Sequence, residues 1–479
     1  MNHVNNFEPN TMNEQAPATS NTTTNTTPNI PTVEPVPLQL GQTYTATGLI
    51  ITRKGPDGST WFIDSARNTG PLDQVHVHHQ VHLGEVQKNL MGLGQARWTQ
   101  ASIAAFLAGQ TVNPLDLCRE VAAFIRRYFS APGPVVDLIA AWVMLTYVFT
   151  VAETVPYLHV LGEPATGKTL LGDLLEGLCF SARQAVSITT AAIHRLLHST
   201  TGTLILDEQG AGDKTWINIM RAGYRRSGTV TVCEGDVPVE RRCFGPKVLL
   251  TNDPLPDAAL ASRAIIIELG PSAGQVERYT AMSAATEMSR LRDALHVFGL
   301  THARQVEQAY LAVDRVDGLS HRELDLAAPL LAVAQVVDQS PGTQAGLRAA
   351  LTDNLKALAG KRRTDQRVQG ERGALARAVV RFAIPLEDES PPVYSWGGHG
   401  DWHLASDLLA SVNQSGELDR PLSPRDLGER LKRYRLATDR QVIDVGRRFV
   451  PFDKHGPRVQ RVAYRIDLDS ARQSAKGEV

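Results

Sequence analysis

The chain has 479 residues, of which 42% are hydrophobic and 21% are charged, and its formal net charge is −1. This length predicts two to four folded units of a soluble globular protein rather than one core. The near-neutral balance excludes a polycation, so any surface for nucleic acid must be local. The four cysteines are far apart in sequence, which indicates neither a disulfide framework nor a zinc site and favours a cytoplasmic protein.

The first 37 residues are rich in Asn, Thr and Pro and contain no Lys or Arg. Such a segment cannot bury enough apolar surface to offset its ordering entropy, so we expect a disordered tail over 1–37. No signal peptide is evident. The apolar stretch 134–152 approaches the length of a membrane span, but Asp137 and the strand that follows favour a buried helix, and no membrane association is expected.

Residues 38–95 predict a small β-rich domain. Alternating apolar and polar residues around a Pro-Asp-Gly turn at 56–58 indicate a hairpin. The following segment, VHVHHQVHL, contains His76, His78, His79 and His82. We favour a strand with Val inward and His outward over a metal cluster, since no Cys or acidic ligand set accompanies the histidines.

Helical periodicity over 96–155 predicts a segment packed on a core, and over 156–272 apolar strands alternate with helices, as in an α/β core. Residues 273–378 are predicted to be mostly helical and 379–400 to be a linker. Two helices and two short strands are expected within 401–479.

A glycine-rich loop, GEPATGKT, lies between the apolar strand YLHVL and the amphipathic helix TLLGDLLEGL. This strand–loop–helix context favours a phosphate-binding loop for ATP over a chance match. Lys168 would reach the β- and γ-phosphates, and the Thr169 hydroxyl would meet Mg²⁺. The predicted nucleotide-binding residues are Gly162, Glu163, Pro164, Ala165, Thr166, Gly167, Lys168 and Thr169.

Two later strands end in polar residues that fit the same chemistry. The strand TLILDE ends in Asp207, which can hold Mg²⁺ through water, and Glu208, which can orient the attacking water as a base. The strand KVLLTND ends near Asn252, whose amide can contact the γ-phosphate or the water. The alternative for Asn252 is an ordinary turn, since Asn-Asp-Pro is a good turn sequence.

Arg263 immediately precedes the apolar strand AIIIEL. An arginine at this place in ring ATPases points into the nucleotide of the neighbouring subunit and stabilises charge in the transition state. The competing interpretation is a surface arginine that pairs with Asp257.

The order of these features resembles an AAA+ ATPase. More narrowly, AAWVMLTYVFT, SITTAAIHRLLHSTTGTLILDEQ, the GYRRSG…FGPK…LPD…SR run and SHRELDLAAPLLAVAQVV are similar to an uncharacterised helicase-like module of phage, plasmid and integrated-element primase–helicase proteins, over about residues 115–345. The resemblance implies an AAA+ P-loop core at 156–272 with a helical lid, in which Arg322 would contact the γ-phosphate. No acidic primase signature is evident upstream, so priming is not implied.

Two segments are candidates for contact with DNA. A hairpin over 225–245 has an acidic tip at Glu234 and Asp236, which would repel a phosphate backbone. Its base carries Arg225, Arg226, Arg241 and Arg242. A hairpin with solvated charges is an equal alternative.

The C-terminal segment resembles a winged helix, with Leu422, Leu427, Leu431 and Leu436 on an apolar face. Residues 425–465 contain 12 Lys or Arg and 5 Asp or Glu. This local excess favours DNA phosphate contact over packing against another subunit. The predicted DNA-binding residues are Arg447, Arg448, Lys454, Arg458 and Arg461.

The fold class expected is therefore α/β, with an AAA+ P-loop core, a helical lid, a small N-terminal β-rich domain and a C-terminal winged-helix domain. The leading functional hypothesis is an ATP- and Mg²⁺-dependent DNA helicase, translocase or remodelling ATPase that forms a homo-oligomeric ring in replication of the mobile-element or phage type. The alternative is a regulatory or defence switch that binds DNA without unwinding it. A non-hydrolysing scaffold is disfavoured by the intact Lys168, Asp207 and Glu208.

Overall fold

The computed structural model of the protein describes residues 36–55, 58–82, 97–186, 188–207, 214–234, 236–255, 257–270, 276–341, 346–383, 402–416, 418, 421–444, 460–466, 470–471 and 474. Nearly all of the predicted tail and most of the predicted linker at 379–400 lie outside these ranges. Within them, no helix has both the length and the apolar character needed to cross a bilayer.

The N-terminal unit contains a four-stranded antiparallel sheet and a separate pair of short parallel strands. The sheet strands, in spatial order, are β2 (Gln42–Thr45), β3 (Gly48–Lys54), β4 (Thr60–Asp64) and β5 (Thr69–Pro71). The parallel pair is β1 (Val36–Pro37) and β6 (Val81–His82). The predicted hairpin around 56–58 is confirmed by β3 and β4, and Leu49, Ile51 and Ile63 from this sheet join the main hydrophobic core.

The histidine segment differs from the prediction. Residues Leu72–Val77 form a 3-10 helix, so Val75 is buried while Val77 is 69% exposed. His79 turns inward, with its Nε2 2.9 Å from Asp64 Oδ2 and its Nδ1 2.6 Å from Thr47 Oγ1. The predicted alternating strand is therefore wrong, because the chain turns here to bury one histidine beside a carboxylate. The described residues contain no group of three or more His, Cys, Asp or Glu placed to hold a metal.

Three helices lead into the core: α1 (Gln100–Leu107), α2 (Pro114–Tyr128) and α3 (Gly133–Thr146). Nearly every residue of α3 after its first turn is buried, and Trp142 Nε1 donates to the carbonyl oxygen of Pro156. The apolar stretch is therefore an interior helix, as its sequence context predicts.

The central sheet has five parallel strands. Their spatial order is β13 (Ala264–Leu269), β7 (Tyr157–Gly162), β12 (Lys247–Thr251), β9 (Leu204–Asp207) and β8 (Arg183–Ala185). The helices between them are α4 (Lys168–Leu178), α5 (Thr190–Ser199), α6 (Lys214–Ala222) and α7 (Ala258–Ala261). One sheet face packs on α3 and α4, and the other packs on α5 and α6. Since all strands run parallel, their carboxyl ends share one edge of the sheet.

The hairpin predicted over 225–245 lies between β9 and β12 in the chain. It consists of β10 (Thr229–Glu234) and β11 (Val237–Arg242), which pair antiparallel. It forms a two-stranded sheet separate from the central one.

Three long helices follow: α8 (Ala281–Leu311), α9 (His321–Asp338) and α10 (Leu347–Ala383). A capping box between Ser320 and Glu323 fixes the start of α9, because each side chain accepts from the backbone N–H of the other residue.

The C-terminal unit consists of β14 (Trp402–Leu404), α11 (Ala405–Gln414), α12 (Pro424–Arg433), β15 (Ala437–Asp444) and β16 (Gln460–Ile466). Its antiparallel sheet has the order β14-β16-β15. The four predicted leucines are buried in its core together with Leu375 and Val379 from α10. The predicted boundary at 378 therefore cuts through a continuous helix, whose last third packs with the C-terminal unit.

Candidate nucleotide-binding site

The glycine-rich loop runs from the end of β7 to the start of α4. Gly167 has φ +91° and Ala165 has φ +66°, so the chain turns through two left-handed positions before the helix. A Cβ on Gly162 would lie 2.7 Å from Thr166 Oγ1, which explains glycine there. Lys168 is buried, and its Nζ donates to the carbonyl oxygens of Gly162, at 2.6 Å, and Glu163, at 2.8 Å.

This arrangement fits the phosphates of ATP with Mg²⁺. The cap residue Gly167 has no side chain with which to satisfy the first N–H groups of α4, and these groups and the helix dipole favour an anion. Thr169 is exposed in the first turn, where its hydroxyl could ligate Mg²⁺. Mg²⁺, when bound, would neutralise charge that develops on the phosphates.

Asp207 ends β9 at the carboxyl edge and is 5% exposed. Its Oδ2 accepts from Gln184 Nε2 at 3.3 Å, and the backbone N–H of Gln184 donates to Glu176 Oε1 at 3.0 Å. Gly172 of α4 leaves room for this amide, since a Cβ there would lie 2.9 Å from Gln184 Oε1. The pKa of Asp173 is raised by burial and then by the carboxylates of Glu176 and Asp207, so negative charge is concentrated here. A divalent cation would relieve it.

Asn252 and Glu208 are the two remaining residues that the sequence predicts at the carboxyl edge. Asn252 follows β12 directly and is exposed; Thr251 before it is paired with Leu161 of β7, so Asn252 lies at the edge that carries the loop. Glu208 lies outside the described residues.

Arg263 lies at the opposite edge of the sheet, where the parallel strands begin, which we call the amino edge. It precedes β13, whose first residue is paired with Tyr157 at the start of β7. Its Nε donates to the carbonyl oxygen of Arg221 at 2.7 Å, and its guanidinium lies 5.0 Å from the Tyr224 ring centroid. Burial, followed by the charge of Arg322, lowers the pKa of Arg263.

Asp257 does not form the ion pair with Arg263 that the competing interpretation predicts. Its carboxylate pairs with Arg221 and caps α7 by accepting from the backbone N–H of Leu260 at 2.6 Å. The predicted Arg263–Asp257 pair is therefore wrong, because Arg221 occupies that carboxylate.

Arg322 is exposed in the first turn of α9 and is near enough to Arg263 to influence its pKa. The start of α9 is tied to this edge, since Thr154 Oγ1, just before β7, donates to the carbonyl oxygen of Asp325 at 2.5 Å. Within the described ranges, neither Arg263 nor Arg322 has a carboxylate within 4.0 Å. A six-residue strand spans about 20 Å, so Arg263 is remote from the loop of its own chain.

Four of the five predicted DNA-binding residues belong to the segment between β15 and β16. Arg447, Arg448, Lys454 and Arg458 lie outside the described residues, and for Arg461 only the backbone, paired with Ile443 in β16, is described. Other exposed cations of this unit lie at the end of α12 and just beyond it, namely Lys432, Arg433 and Arg435.

The arginines at the base of the β10–β11 hairpin are used within the protein. Arg226 donates to the carbonyl oxygens of Thr150 and Ala152, and Arg241 is buried. Arg225 lies 5.3 Å from the Tyr224 ring centroid and 3.8 Å from Asp325. Three of the four arginines predicted for the hairpin base are therefore buried or have partners within the fold.

Comparison with known proteins gives no match to a protein family and none to a curated protein. Among solved structures, the chain is similar to the NrS-1 C-terminal region in its A form apo state, at 14% identity over 74% of this chain and 76% of that chain, with a TM-score of 0.29. It is similar to a full-length MCM homolog from Methanopyrus kandleri, at 15% identity over 56% and 64%, with a TM-score of 0.35. It is also similar to the active helicase Cch of SCCmec type IV, at 11% identity over 90% and 80%, with a TM-score of 0.37.

Proposed function

We propose that the chain is an AAA+ ATPase that hydrolyses ATP with Mg²⁺ and acts on DNA as a homo-oligomeric ring. Its activity would be that of a helicase, translocase or remodelling ATPase in replication of the mobile-element or phage type. The observation that carries the proposal is the division of one parallel sheet: the phosphate loop, Asp207 and Asn252 lie at one edge, and Arg263 and Arg322 lie at the other.

The carboxyl edge supplies the groups for binding and hydrolysis. Lys168 would exchange its two loop carbonyl acceptors for the β- and γ-phosphates, and Thr169 and Asp207 would hold Mg²⁺. Glu208 would take a proton from the attacking water, and Asn252 would hold that water or the γ-phosphate in line.

The amino edge would supply arginines to the nucleotide site of a neighbouring copy of the chain. The charge of Arg322 contributes to lowering the pKa of Arg263, and neither arginine forms an ion pair within 4.0 Å in the described part of the chain, so an anion brought close to both would be favoured. In a head-to-tail ring, Arg263 and Arg322 of one copy would face the phosphates at the loop of the next. Helices α8 to α10 would form the lid.

The C-terminal unit supports a role on DNA. Its β–α–α–β–β order with the sheet β14-β16-β15 suits a winged helix, and the exposed cations Lys432 and Arg433 lie at the end of α12. We expect Lys432→Ala/Arg433→Ala to weaken DNA binding roughly three- to tenfold and to reduce the salt slope by about 2. Arg425→Ala is the matched control, because Arg425 Nε already donates to Glu429 Oε1 at 2.9 Å.

A second candidate function is a nucleotide-dependent regulatory or defence switch that binds DNA without unwinding it. The hairpin favours this alternative, since its exposed Asp236 adds negative charge at the tip and its basal arginines are engaged within the fold. A hairpin of this kind is poorly suited to follow a phosphate backbone.

The test is the ATPase rate of the wild type and of Glu208→Gln, each with and without single-stranded DNA. The proposal predicts turnover that DNA stimulates in the wild type and that is absent in the variant, which should still bind ATP. Turnover indifferent to DNA would favour the switch, and equal turnover in the two proteins would reject the site.

A further inference from the structure

The hairpin turn between β2 and β3 carries a series of hydrogen bonds that no step of the proposed ATPase reaction uses. Ala46 and Thr47 form the turn, and both are exposed. Thr47 Oγ1 lies 2.6 Å from His79 Nδ1, and Nε2 of the same ring lies 2.9 Å from Asp64 Oδ2. A hydroxyl, an imidazole and a carboxylate are therefore joined in series, which is the arrangement that activates an oxygen nucleophile.

The positions of the protons in this series follow from Asp64. Asn68 donates to both oxygens of its carboxylate, through its backbone N–H at 2.8 Å and its side-chain amide at 2.8 Å. Burial alone would raise the pKa of Asp64, but the hydrogen bonds from His79 and Asn68 outweigh burial and lower that pKa, so the carboxylate is ionised at pH 7. An ionised carboxylate only accepts, so His79 Nε2 carries a proton and donates it to Asp64. In the neutral ring Nδ1 is then an acceptor, and the Thr47 hydroxyl donates to it.

Contacts on both sides of Thr47 hold the turn in place. Thr45 Oγ1 donates to the carbonyl oxygen of Gly48 at 3.1 Å, across the turn. Arg304 Nη2, from α8, donates to the carbonyl oxygen of Ala46 at 2.6 Å. The Thr47 hydroxyl is therefore oriented against its base before a substrate arrives, which lowers the entropic cost of reaction.

Access to solvent changes along the series. The side chains of His79 and Asp64 are only 2% and 1% exposed, so water hardly competes with the hydrogen bond between them. Thr47, in contrast, is an exposed residue that a molecule in solution can approach. Thr69 on β5 is exposed as well, but its hydroxyl donates its proton to the carbonyl oxygen of Phe62 at 2.8 Å. Thr47 thus combines exposure with a base, whereas Thr69 has a carbonyl group in place of the base.

We propose that Thr47 is a nucleophile that accepts an acyl group from an activated ester, with His79 as its base and Asp64 as the group that orients the base. The hydroxyl oxygen of Thr47 forms a bond to the acyl carbon, and its proton moves to His79 Nδ1. The bond from that carbon to the leaving oxygen breaks, the leaving oxygen keeps the electron pair, and His79 then gives up the proton to it or to water. The product is an ester of Thr47, and nothing is oxidised or reduced. This reaction does not depend on the function proposed above.

The test uses p-nitrophenyl acetate, whose coloured leaving group reports each transfer, on the full chain. Mass spectrometry of the digested protein would locate the acetyl groups. Treatment with neutral hydroxylamine separates esters, which it cleaves, from acetylated lysines, which it leaves intact. We expect a hydroxylamine-sensitive acetyl group on Thr47 that forms at least about 100-fold faster than one on Thr69.

The variants separate a nucleophile from a structural hydroxyl. Thr47→Ser keeps the hydroxyl and should keep the acetyl transfer, whereas Thr47→Val should lose the hydroxylamine-sensitive product. Thr69→Val is the matched control at an exposed position, and its initial rate should equal that of the wild type. His79→Gln should slow acetylation of Thr47 roughly 100-fold.

Because His79 is buried, its substitution also weakens the fold, so the comparison of Thr47 with Thr69 decides the outcome. Acetyl groups on lysines alone, equal rates at the two threonines, or an unchanged rate of hydroxylamine-sensitive acetylation in Thr47→Val would each overturn the proposal.

Discussion

Lys168 and Lys247 are both buried at an end of the central sheet, Lys168 at the carboxyl edge and Lys247 at the amino edge. The acceptors of Lys168 are two carbonyl groups of its own loop. Lys247 is fully enclosed, lies 4.9 Å from the Tyr157 ring centroid and donates to carbonyl oxygens of three residues. These are Gly223, Cys243 and Gly245.

The difference separates a buried lysine whose partners could be exchanged for an anion, as we propose for Lys168, from one whose partners belong to the fold. The Lys168 amine sits where an anion could replace its carbonyl partners without disturbing other elements. The Lys247 amine joins the end of α6 to the segment between β11 and β12, so its partners cannot be exchanged. Burial alone does not distinguish the two, whereas the origin of the acceptors does.

The largest effect should come from Lys168→Ala at the carboxyl edge. If Lys168 contacts the phosphates as proposed, losing its ammonium group should lower turnover at least about 1,000-fold and should also reduce ATP affinity. ATPase assays and calorimetry would measure this, and the melting temperature should stay near that of the wild type. Normal turnover in Lys168→Ala would mean that Lys168 has no role in ATP hydrolysis.

Arg263→Ala at the amino edge should reduce turnover by about 1,000-fold while leaving ATP binding intact. Because its own loop is unchanged, activity should return when it is mixed with Lys168→Ala, which still donates Arg263. About one quarter of the interfaces in an equimolar ring would then be complete. The measurement is ATPase rate against mixing ratio.

The matched control for this mixture is a double variant, Lys168→Ala/Arg263→Ala, which should rescue neither parent. Failure of rescue at every ratio, with assembly retained, would mean that the arginine does not act in the neighbouring copy.

A smaller effect is expected from Gln184→Leu, which removes the hydrogen bond to Asp207. Groups that hydrogen-bond to metal ligands typically change metal affinity or activity 10- to 100-fold, so half-maximal ATPase activity should need about tenfold more Mg²⁺. Nucleotide affinity in EDTA should not change, which separates a positioning role from general damage. Asp207→Asn is the reference: if it alters the Mg²⁺ requirement and Gln184→Leu does not, Gln184 has no positioning role.

The sequence predicts the positions of the loop, Asp207 and Asn252 at the carboxyl edge because each of these features is local. The loop, Asp207 and Asn252 each follow an apolar strand directly, and parallel strands bring such positions together. Gln184 could not be predicted, since its role depends on the pairing of β8 with β9 and on the space left by Gly172. No spacing or composition marks that contact.

The amino edge and the histidine segment also contain contacts that the sequence does not predict. Arg263 is recognisable from its place before a strand, but its real neighbours, Arg221 and Tyr224, come from another part of the chain. His79 pairs with Asp64 because a 3-10 helix replaces the expected strand. Period-2 alternation over so short a segment does not reveal such a turn.

The smallest effect concerns Lys247, and it appears as a dependence on pH. Burial lowers the pKa of Lys247 from its ordinary value of 10.5 to about 8. Between these values the unfolded chain holds a proton that the folded chain has released, so the folded state gains stability as pH rises from about 8. Below pH 8 both states are protonated, and this contribution is constant.

Lys247→Met should therefore be less stable than the wild type at pH 7 by about 1–3 kcal/mol, since three buried carbonyl groups lose their donor. Above pH 8 the gap should widen by roughly 1 kcal/mol per pH unit, because only the wild type gains from releasing the proton. Denaturant unfolding at pH 7.0, 8.0 and 9.5 would measure this, and staying below pH 10 avoids the tyrosines. The conservative variant Lys247→Arg, which keeps the charge throughout this range, should itself gain no stability above pH 8, so its gap to the wild type should widen in the same way. A constant gap would mean that the lysine stays charged in its carbonyl cage, and the two lysines would then differ only in where their acceptors come from.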